Sequence, residues 1–260
     1  MDEWLTLYPA FLLIFIRVSS FFVVLPLFNH RTVPAPLKLG LSAFLAATLA
    51  VSLDVPELAL DLPFLLLALK EFAIGIAAGL MASMILYAVQ VAGGVIDFHL
   101  GFMLANVVDP QTGAQSPLTG SYLYLFAMLY LLIIDGHHLL LDGVIYSYQF
   151  VPLDQLVLPF GSGHVMEHVT QVMVMLFAMA VSMAMPVAGA LFLVDVALGI
   201  ISRTVPQMNV FVVGIPIKML AGFIVFAIYI GVFFMSVNVL FEELLLAMRR
   251  LLEGLGGGPQ

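Results

Sequence analysis

The sequence predicts an all-α, polytopic membrane protein, and three observations carry that prediction. Of its 260 residues, 63% are hydrophobic and only 9% are charged, which is far from the composition of soluble domains. Apolar stretches close to or above the roughly 20 residues that a helix needs to cross a bilayer fill most of the chain. The stretches lack the sustained polar–apolar alternation of a membrane β-barrel. A water-soluble globule is therefore excluded.

Six apolar segments are predicted as long helical units, because backbone polar groups inside a bilayer must be satisfied within the segment itself. In chain order they are 5–28, 37–53, 62–96, 118–134, 169–201 and 210–246, and shorter apolar pieces lie at 100–108 and 139–151.

Prolines separate these segments and support their predicted ends. Pro34 and Pro36 precede the second segment, Pro63 opens the third, Pro117 precedes the fourth and Pro206 precedes the sixth. A proline fits the first turn of a helix but stops a preceding one.

The third and fifth segments are longer than a single crossing requires. Pro186 lies within the fifth and removes a helix hydrogen bond, which favours a kink. We therefore expect bent, broken or hairpin helices in 62–96 and 169–201.

The domain organisation is predicted to be simple, because no hydrophilic segment of domain size interrupts the apolar ones. Residues 1–252 are expected to form one helical domain. The glycine-rich residues 253–260 contain too little apolar surface to fold alone and are expected to form a flexible tail.

Composition also excludes several functions. The formal net charge is −8, and the chain has no basic cluster that would favour nucleic acid. Because the sequence has no cysteine, it has no disulfide, thiolate nucleophile or cysteine-based metal site.

Charged residues interrupt the apolar segments at Arg17, Lys70, Glu71, Asp195 and Lys218. Each ionised group costs about 2.5 to 3.5 kcal/mol at the centre of a membrane helix, so each needs a partner or water. We interpret them as residues of a lined cavity or of a subunit interface. The alternative is that some lie at helix ends and extend their charge to the membrane surface.

Small residues recur every four positions at Gly75, Gly79 and Ser83. This spacing places them on one helix face, where another helix backbone can approach closely.

Histidine and carboxylate groups occur together at Asp135, His137 and His138. Imidazole and carboxylate are common metal ligands, but adjacent histidines on a helix point about 100° apart at 3.6 residues per turn. The sequence therefore favours a packing role at a helix end over a metal site.

Catalysis is not predicted. Asp97 with His99, and Glu167 with His168, could be acid–base pairs, but no nucleophile or phosphate-binding loop lies near them in sequence. We expect a protein that is not an enzyme.

Several short sequence patterns, taken together, resemble the R-subunit family of the type III protein-export gate. This family comprises the flagellar FliR proteins and their homologues in virulence secretion systems. The N-terminal and central parts of the pattern are Arg17, Phe21, Phe22, Pro26, Phe28, Val33, Pro34, Lys38, Glu71, Gly75, Gly79, Gly93, Asp97, Gly101, Phe102, Asn106, Asp109, Pro110, Gln111 and Gly113. The C-terminal part is Gly136, His137, His138, Ser147, Pro152, Pro186, Asp195, Gly199, Arg203, Pro206, Gln207, Met208, Asn209, Gly214, Pro216, Lys218 and Gly222. His99 and Asp135 depart from it, since Gln and Asn are more usual there.

The resemblance implies a structural, pore-forming subunit without a cofactor. One R copy would assemble with several P and Q subunits into a helical gate that conducts unfolded export substrates, and the B subunit (FlhB) would engage that gate. The implied location is the flagellar basal body in the bacterial inner membrane. The resemblance leaves flagellar and virulence cargo both open, although the loop at Asp109, Pro110 and Gln111 is more similar to the flagellar members.

Two groups of site residues follow from the residue patterns and the resemblance together. The first is the plug loop of the pore, which comprises Asp109, Pro110, Gln111, Thr112, Gly113, Ala114, Gln115 and Ser116 within the turn-rich segment 101–117. The second is a set of subunit-interface or pore-lining residues, namely Arg17, Lys70, Glu71, Asp97, Asp195, Arg203, Gln207, Asn209 and Lys218. Within it, we expect Lys218 to pair with a carboxylate of another subunit.

Two alternatives from other functional classes remain at this point. A secondary transporter would also place charged residues around a polar path, but no convincing internal repeat is present. An intramembrane enzyme using His137 and His138 would need a partner motif, which the sequence does not supply.

Overall fold

The computed structural model describes residues 2–29, 32–53, 61–102, 117–156, 163–205, 207 and 209–256. The helices within these ranges are α1 (Asp2–Val24), α2 (Ala35–Ser52), α3 (Leu62–Leu100), α4 (Leu118–Ile133), α5 (Gly136–Phe150), α6 (Gly163–Thr204) and α7 (Val210–Leu255). They confirm the predicted all-α class and all six predicted segments. The shorter apolar piece at 139–151 forms α5.

Three of the helices are much longer than a bilayer requires. The 39 residues of α3, the 42 of α6 and the 46 of α7 extend about 58 to 69 Å at 1.5 Å per residue. The hydrocarbon core is only about 30 Å thick. The part of each helix that exceeds one perpendicular crossing is large and is available for other contacts.

By length and composition, α1, α2, α3, α6 and α7 could each cross a membrane. The pair α4 and α5 would add a sixth crossing if the two count as one interrupted span. These assignments agree with a polytopic helical membrane protein.

The expected interruptions of the third and fifth segments are not present, because α3 and α6 are each continuous. The observed break lies instead between α4 and α5, where Asp135 has a left-handed backbone with φ 56°. Pro186 lies inside α6, and the Tyr229 hydroxyl donates to the nearby carbonyl of Met183 at 2.5 Å. The carbonyl that loses its helix partner at Pro186 belongs to Ser182, four residues earlier, so the bond from Tyr229 is an additional contact between α6 and α7.

The described helices form two compact units. Unit 1 comprises Met1–Met84, Asp135–Met173 and Glu242–Gln260, and unit 2 comprises Ile85–Ile134 and Val174–Phe241. The predicted flexible tail at 253–260 begins inside a helix, since α7 continues to Leu255.

Unit 1 packs α1 directly against α3 through the predicted small-residue face. A Cβ at Gly75 would overlap the Arg17 carbonyl oxygen and Ser20 Oγ, and one at Gly79 would lie 3.0 Å from Val24 Cβ. The prediction of a close helix approach is confirmed at these two glycines. The approach also brings Arg17 within reach of α3.

Unit 2 uses a second glycine contact, between α3 and α4. Gly93 and Gly120 face each other so closely that a Cβ on Gly93 would overlap the Gly120 backbone, while a Cβ on Gly120 would lie 2.7 Å from the Gln90 carbonyl oxygen. This contact places the start of α4 beside the last turns of α3.

The apolar surfaces of the helices are covered unequally within the chain. Residues of the membrane-length window are 61% buried in α3 but only 22% buried in α6 and in α7. Large apolar side chains of α6 and α7 are correspondingly exposed, including Leu193 at 67%, Ile228 at 76% and Met235 at 70%. These faces require lipid or another protein to cover them.

Candidate interface and buried charge sites

The centre of unit 1 contains a buried ion pair between α1 and α3. Arg17 Nε lies 2.5 Å from Glu71 Oε2, and Arg17 Nη2 lies 2.9 Å from Glu71 Oε1. Their side chains are 1% and 0% exposed. The planar guanidinium suits this two-point contact, which fixes the orientation as well as the distance.

Arg17 also reaches α5 and the chain that follows it. Its Nη1 donates to Ser147 Oγ at 2.8 Å, and its Nη2 donates to the Val151 carbonyl at 2.9 Å. The guanidinium carbon lies 4.0 Å from the centre of the Tyr148 ring, which is a cation–π contact. One side chain therefore joins α1, α3 and α5.

Lys70 completes the cluster from the position next to Glu71. Its Nζ lies 2.8 Å from Glu71 Oε1, and it donates to the carbonyls of Pro152 and Leu153 at 2.7 and 3.1 Å. With Arg17 and Lys70 ionised against one carboxylate, the formal charge is +1. The backbone carbonyl dipoles supply the remaining stabilisation of the cations.

We call Arg17, Lys70 and Glu71 the unit 1 charge cluster. All three were predicted as interface or pore-lining residues, and the structure places them inside unit 1, in contact with one another. Their contacts tie α1, α3 and the segment after α5 together. The role in an assembled pore stays a prediction.

Asp97 occupies a buried site in unit 2. Both of its carboxylate oxygens lie 3.1 Å from the backbone nitrogen of Thr119, in the first turn of α4. The residue before α4 is Pro117, which provides no side-chain cap. Asp97 therefore caps α4 from α3, where its negative charge also complements the helix dipole.

Asp195 and Lys218 join α6 to α7 in unit 2. Lys218 Nζ lies 2.7 Å from Asp195 Oδ2, and the two side chains are 18% and 41% exposed, respectively. The structure gives Lys218 a carboxylate partner within its own chain, and its expected contact with another subunit stays a prediction. Part of the Asp195 side chain therefore stays exposed and could contact another group.

The turn between α6 and α7 carries the last predicted site residues. Arg203 lies in the last turn of α6, where a cation complements the carboxyl end of a helix. Asn209 caps α7, since its Oδ1 accepts from the Val212 N–H at 3.4 Å and its carbonyl accepts from the same N–H at 3.0 Å. Arg203, Gln207 and Asn209 are exposed.

The predicted plug loop, Asp109 to Ser116, lies outside the described residues. Its assignment depends on the sequence and on the resemblance.

Several contacts of the charge cluster had no signal as contacts in the sequence. Ser147 and Pro152 belonged to the resemblance pattern without an assigned contact, and Tyr148 is an unremarkable aromatic residue in an apolar stretch. The Val151 and Leu153 carbonyls could not be found from residue type, because backbone acceptors are present at every position.

The fold and these sites define a class: a helical membrane protein whose buried charged side chains are held by contacts within the chain and whose long C-terminal helices expose apolar faces. Residues 8–244 match the family described as "Bacterial export proteins, family 1", and the chain belongs to this family.

Individual relatives agree with this assignment. The chain is 47% identical over 257 residues to the flagellar biosynthetic protein FliR of Bacillus subtilis (strain 168), covering 98% of this chain and 99% of that protein. It is 27% identical over 222 residues to the FliR of Escherichia coli (strain K12), covering 85% and 84%. It is also 26% identical over 250 residues to the surface presentation of antigens protein SpaR of Shigella flexneri, covering 94% and 95%. The family resemblance inferred from the sequence is confirmed.

Proposed function

We propose that this chain is a structural, pore-forming subunit of the flagellar type III protein-export gate, located in the inner membrane at the flagellar basal body. It assembles with P and Q subunits, is engaged by the B subunit (FlhB), and conducts unfolded export substrates. The family assignment supports export, and the name of the 47% identical relative supports the flagellar system.

One structural observation supports assembly beyond the single chain. The membrane-length windows of α6 and α7 are only 22% buried, although both helices are far longer than one crossing. A half-exposed ion pair, Asp195 with Lys218, lies on these same helices. An apolar face carrying a partly exposed charge pair suits a protein neighbour better than lipid, because lipid tails cannot hydrogen-bond to the pair.

The charge cluster supports a structural role for unit 1. Arg17 and Lys70 are held by a carboxylate and three backbone carbonyls, and their burial in the chain leaves little room for cargo at these atoms. We propose that unit 1 is a rigid support, and that Asp97, Asp195, Arg203, Gln207, Asn209 and Lys218 of unit 2 lie nearer to partner subunits or the pore.

The plug proposal depends on the sequence and on the family resemblance. The segment from Asp109 to Ser116 combines turn-forming residues with small and polar ones between long apolar helices. Such a segment suits a lumen that closes without holding passing cargo tightly.

A complementation experiment tests the proposed function. A Bacillus subtilis strain without its FliR would express this chain with a small C-terminal affinity tag, and the tagged relative expressed from the same promoter would be the positive control. We expect the chain to restore motility at least in part and to co-purify with the P and Q subunits of that host. A chain that accumulates in the membrane but restores no motility and recovers neither subunit would refute the proposal.

The same experiment separates export from transport. A secondary transporter would purify alone or as a homo-oligomer, whereas a gate subunit would bring P and Q with it. The family assignment and the absence of a convincing internal repeat in the sequence favour the export gate.

A further inference from the structure

We propose that Asp135, His137 and His138 form a binding site for a divalent first-row transition-metal ion, such as Zn²⁺ or Ni²⁺, at the start of α5. This inference does not depend on the proposed function.

The first observation is the geometry of the three side chains. One donor atom from each, a carboxylate oxygen and two imidazole nitrogens, lies within 4.8 Å of the other two. The two imidazole rings have their centres 4.2 Å apart at an angle of 50°. The donor atoms therefore lie close together although His137 and His138 occupy adjacent positions of α5.

The second observation is that a ring nitrogen of one of these histidines is buried without a hydrogen bond. Among the described residues, His137 Nδ1 has no partner although it is inaccessible to solvent. A buried polar atom without a partner is costly and uncommon in folded proteins. A metal ion at this nitrogen would satisfy it.

The third observation concerns Asp135, which precedes α5 without capping it. An aspartate at this position usually accepts a hydrogen bond from the first turn of the helix, but Asp135 has a left-handed backbone and its side chain makes no such bond. Only its backbone carbonyl serves the helix, by accepting from the His138 N–H at 2.9 Å. The carboxylate is therefore available as a ligand.

The donor set determines the class of ion. Two imidazoles and one carboxylate suit Zn²⁺, Ni²⁺, Co²⁺ or Cu²⁺, whereas Mg²⁺ and Ca²⁺ prefer oxygen ligands throughout. Three protein ligands leave a coordination position for water. Asp135 and His138 are exposed at the surface of the chain, which leaves these two ligands accessible from outside it. The carboxylate also offsets the positive end of the helix dipole, which would otherwise disfavour a cation.

The test uses the full chain in detergent, purified through a tag without histidines and stripped with a chelator. Zn²⁺ is titrated by calorimetry and Co²⁺ by visible absorption. We expect one ion per chain, and we expect Asp135→Asn, His137→Gln and His138→Gln each to weaken Zn²⁺ binding by at least about tenfold. His99→Gln is the matched control, because it removes a histidine on α3 outside the cluster, and it should bind as the unmodified chain does.

Two results would overturn the proposal: no saturable one-to-one binding to the unmodified chain, or unchanged affinity in all three variants. Circular dichroism and gel filtration check that each variant is folded. If a variant is not folded, X-ray absorption of the Zn²⁺-loaded unmodified chain decides instead. Imidazole ligands around the zinc, recognised by scattering from the outer ring atoms, support the site, and the absence of that signal refutes it.

Discussion

Arg17 on α1 and Glu71 on α3 form a two-point ion pair, 54 residues apart in sequence, at 2.5 and 2.9 Å. Both side chains are almost completely buried. Removal of one partner from such a pair leaves an uncompensated charge in a low-dielectric interior.

The first prediction is that Glu71→Ala strongly destabilises the protein. Two cations, Arg17 and Lys70, would lose their shared carboxylate, and loss of a partner from a buried pair costs about 3 to 5 kcal/mol. Thermal unfolding of the chain in detergent and its abundance in membranes would measure the effect. Glu253→Gln is the control, since Glu253 pairs with Arg249 at an exposed site and such pairs contribute about 0 to 1 kcal/mol. Equal stability of the two variants would contradict the structural role of the cluster.

The second prediction is that Gly75→Ala destabilises the contact between α1 and α3. The added Cβ would overlap the Arg17 carbonyl and Ser20 Oγ, and overpacking of this kind costs about 1 to 3 kcal/mol. Gly40→Ala is the matched control on α2, because a Cβ there meets nothing within 4 Å. In that open site alanine should stabilise the helix by about 0.5 to 1 kcal/mol. Shifts of opposite sign in the unfolding temperature are the expected outcome, and a stabilised Gly75→Ala protein would be inconsistent with the close approach.

The third prediction concerns the cap that Asp97 provides for α4. Asp97→Ala should cost about 1 to 2 kcal/mol, as loss of a helix cap does, and leave the buried Thr119 N–H without its acceptor. Asp97→Asn should cost less, because an amide oxygen can still accept. Asp61→Ala is the comparison, since Asp61 accepts from Phe64 N–H at 3.3 Å at an exposed helix start. Thermal unfolding should rank Asp97→Ala as the most damaging of the three, and any other order would argue against the cap.

The fourth prediction separates stability from assembly at Asp195 and Lys218. Because this pair is partly exposed, its coupling energy in a double-mutant cycle should be only about 0.2 to 1 kcal/mol. If the pair faces a partner, Lys218→Ala should reduce the amount of P and Q subunits that co-purifies with the chain. The reduction should be larger than this small loss of stability explains. The reversed pair, Asp195→Lys with Lys218→Asp, should restore the stability of the chain but not the co-purification of P and Q subunits. If P and Q subunits co-purify with the Lys218→Ala protein as they do with the unmodified chain, and export is normal, an interface role is excluded.

The fifth prediction tests the plug loop. Deletion of Gln111 to Ser116 should leave the assembled complex intact but increase the leakage of small ions across the membrane, because the pore would lose the bulk that closes it. Native mass spectrometry checks the assembly, and ion flux into vesicles or cells measures the leakage. The complex with the full loop is the control. A deletion complex as tight as that control would eliminate the plug assignment.

Most of the fold could be predicted because its signals are local. Apolar length indicated each helix, and prolines such as Pro63 and Pro117 marked helix starts. The continuity of α6 through Pro186 could not be predicted, because a proline in a helix is tolerated when neighbouring groups satisfy the freed carbonyls.

The candidate sites were predicted as residues but not as contacts. Arg17, Glu71 and Asp195 were recognisable because an ionised group in an apolar helix requires a partner or water. The contact of Lys218 with Asp195 was not predicted, since no pattern in the sequence places α6 beside α7. The spacing of His137 and His138 argued against shared coordination, and only the structure showed that their donor atoms lie close to the Asp135 carboxylate.

The amino-acid sequence by itself determined the membrane class, the positions of the helices and the membership of a bacterial export family. These properties follow from composition, from the length of apolar runs and from residues in fixed order along the chain. The tertiary structure alone decided that Arg17 binds Glu71 and Ser147, 54 and 130 residues away, and that Asp97 caps α4. The physical reason is that the energy of a buried charge depends on which distant groups the helix packing brings within hydrogen-bond distance, and residue order does not specify that distance.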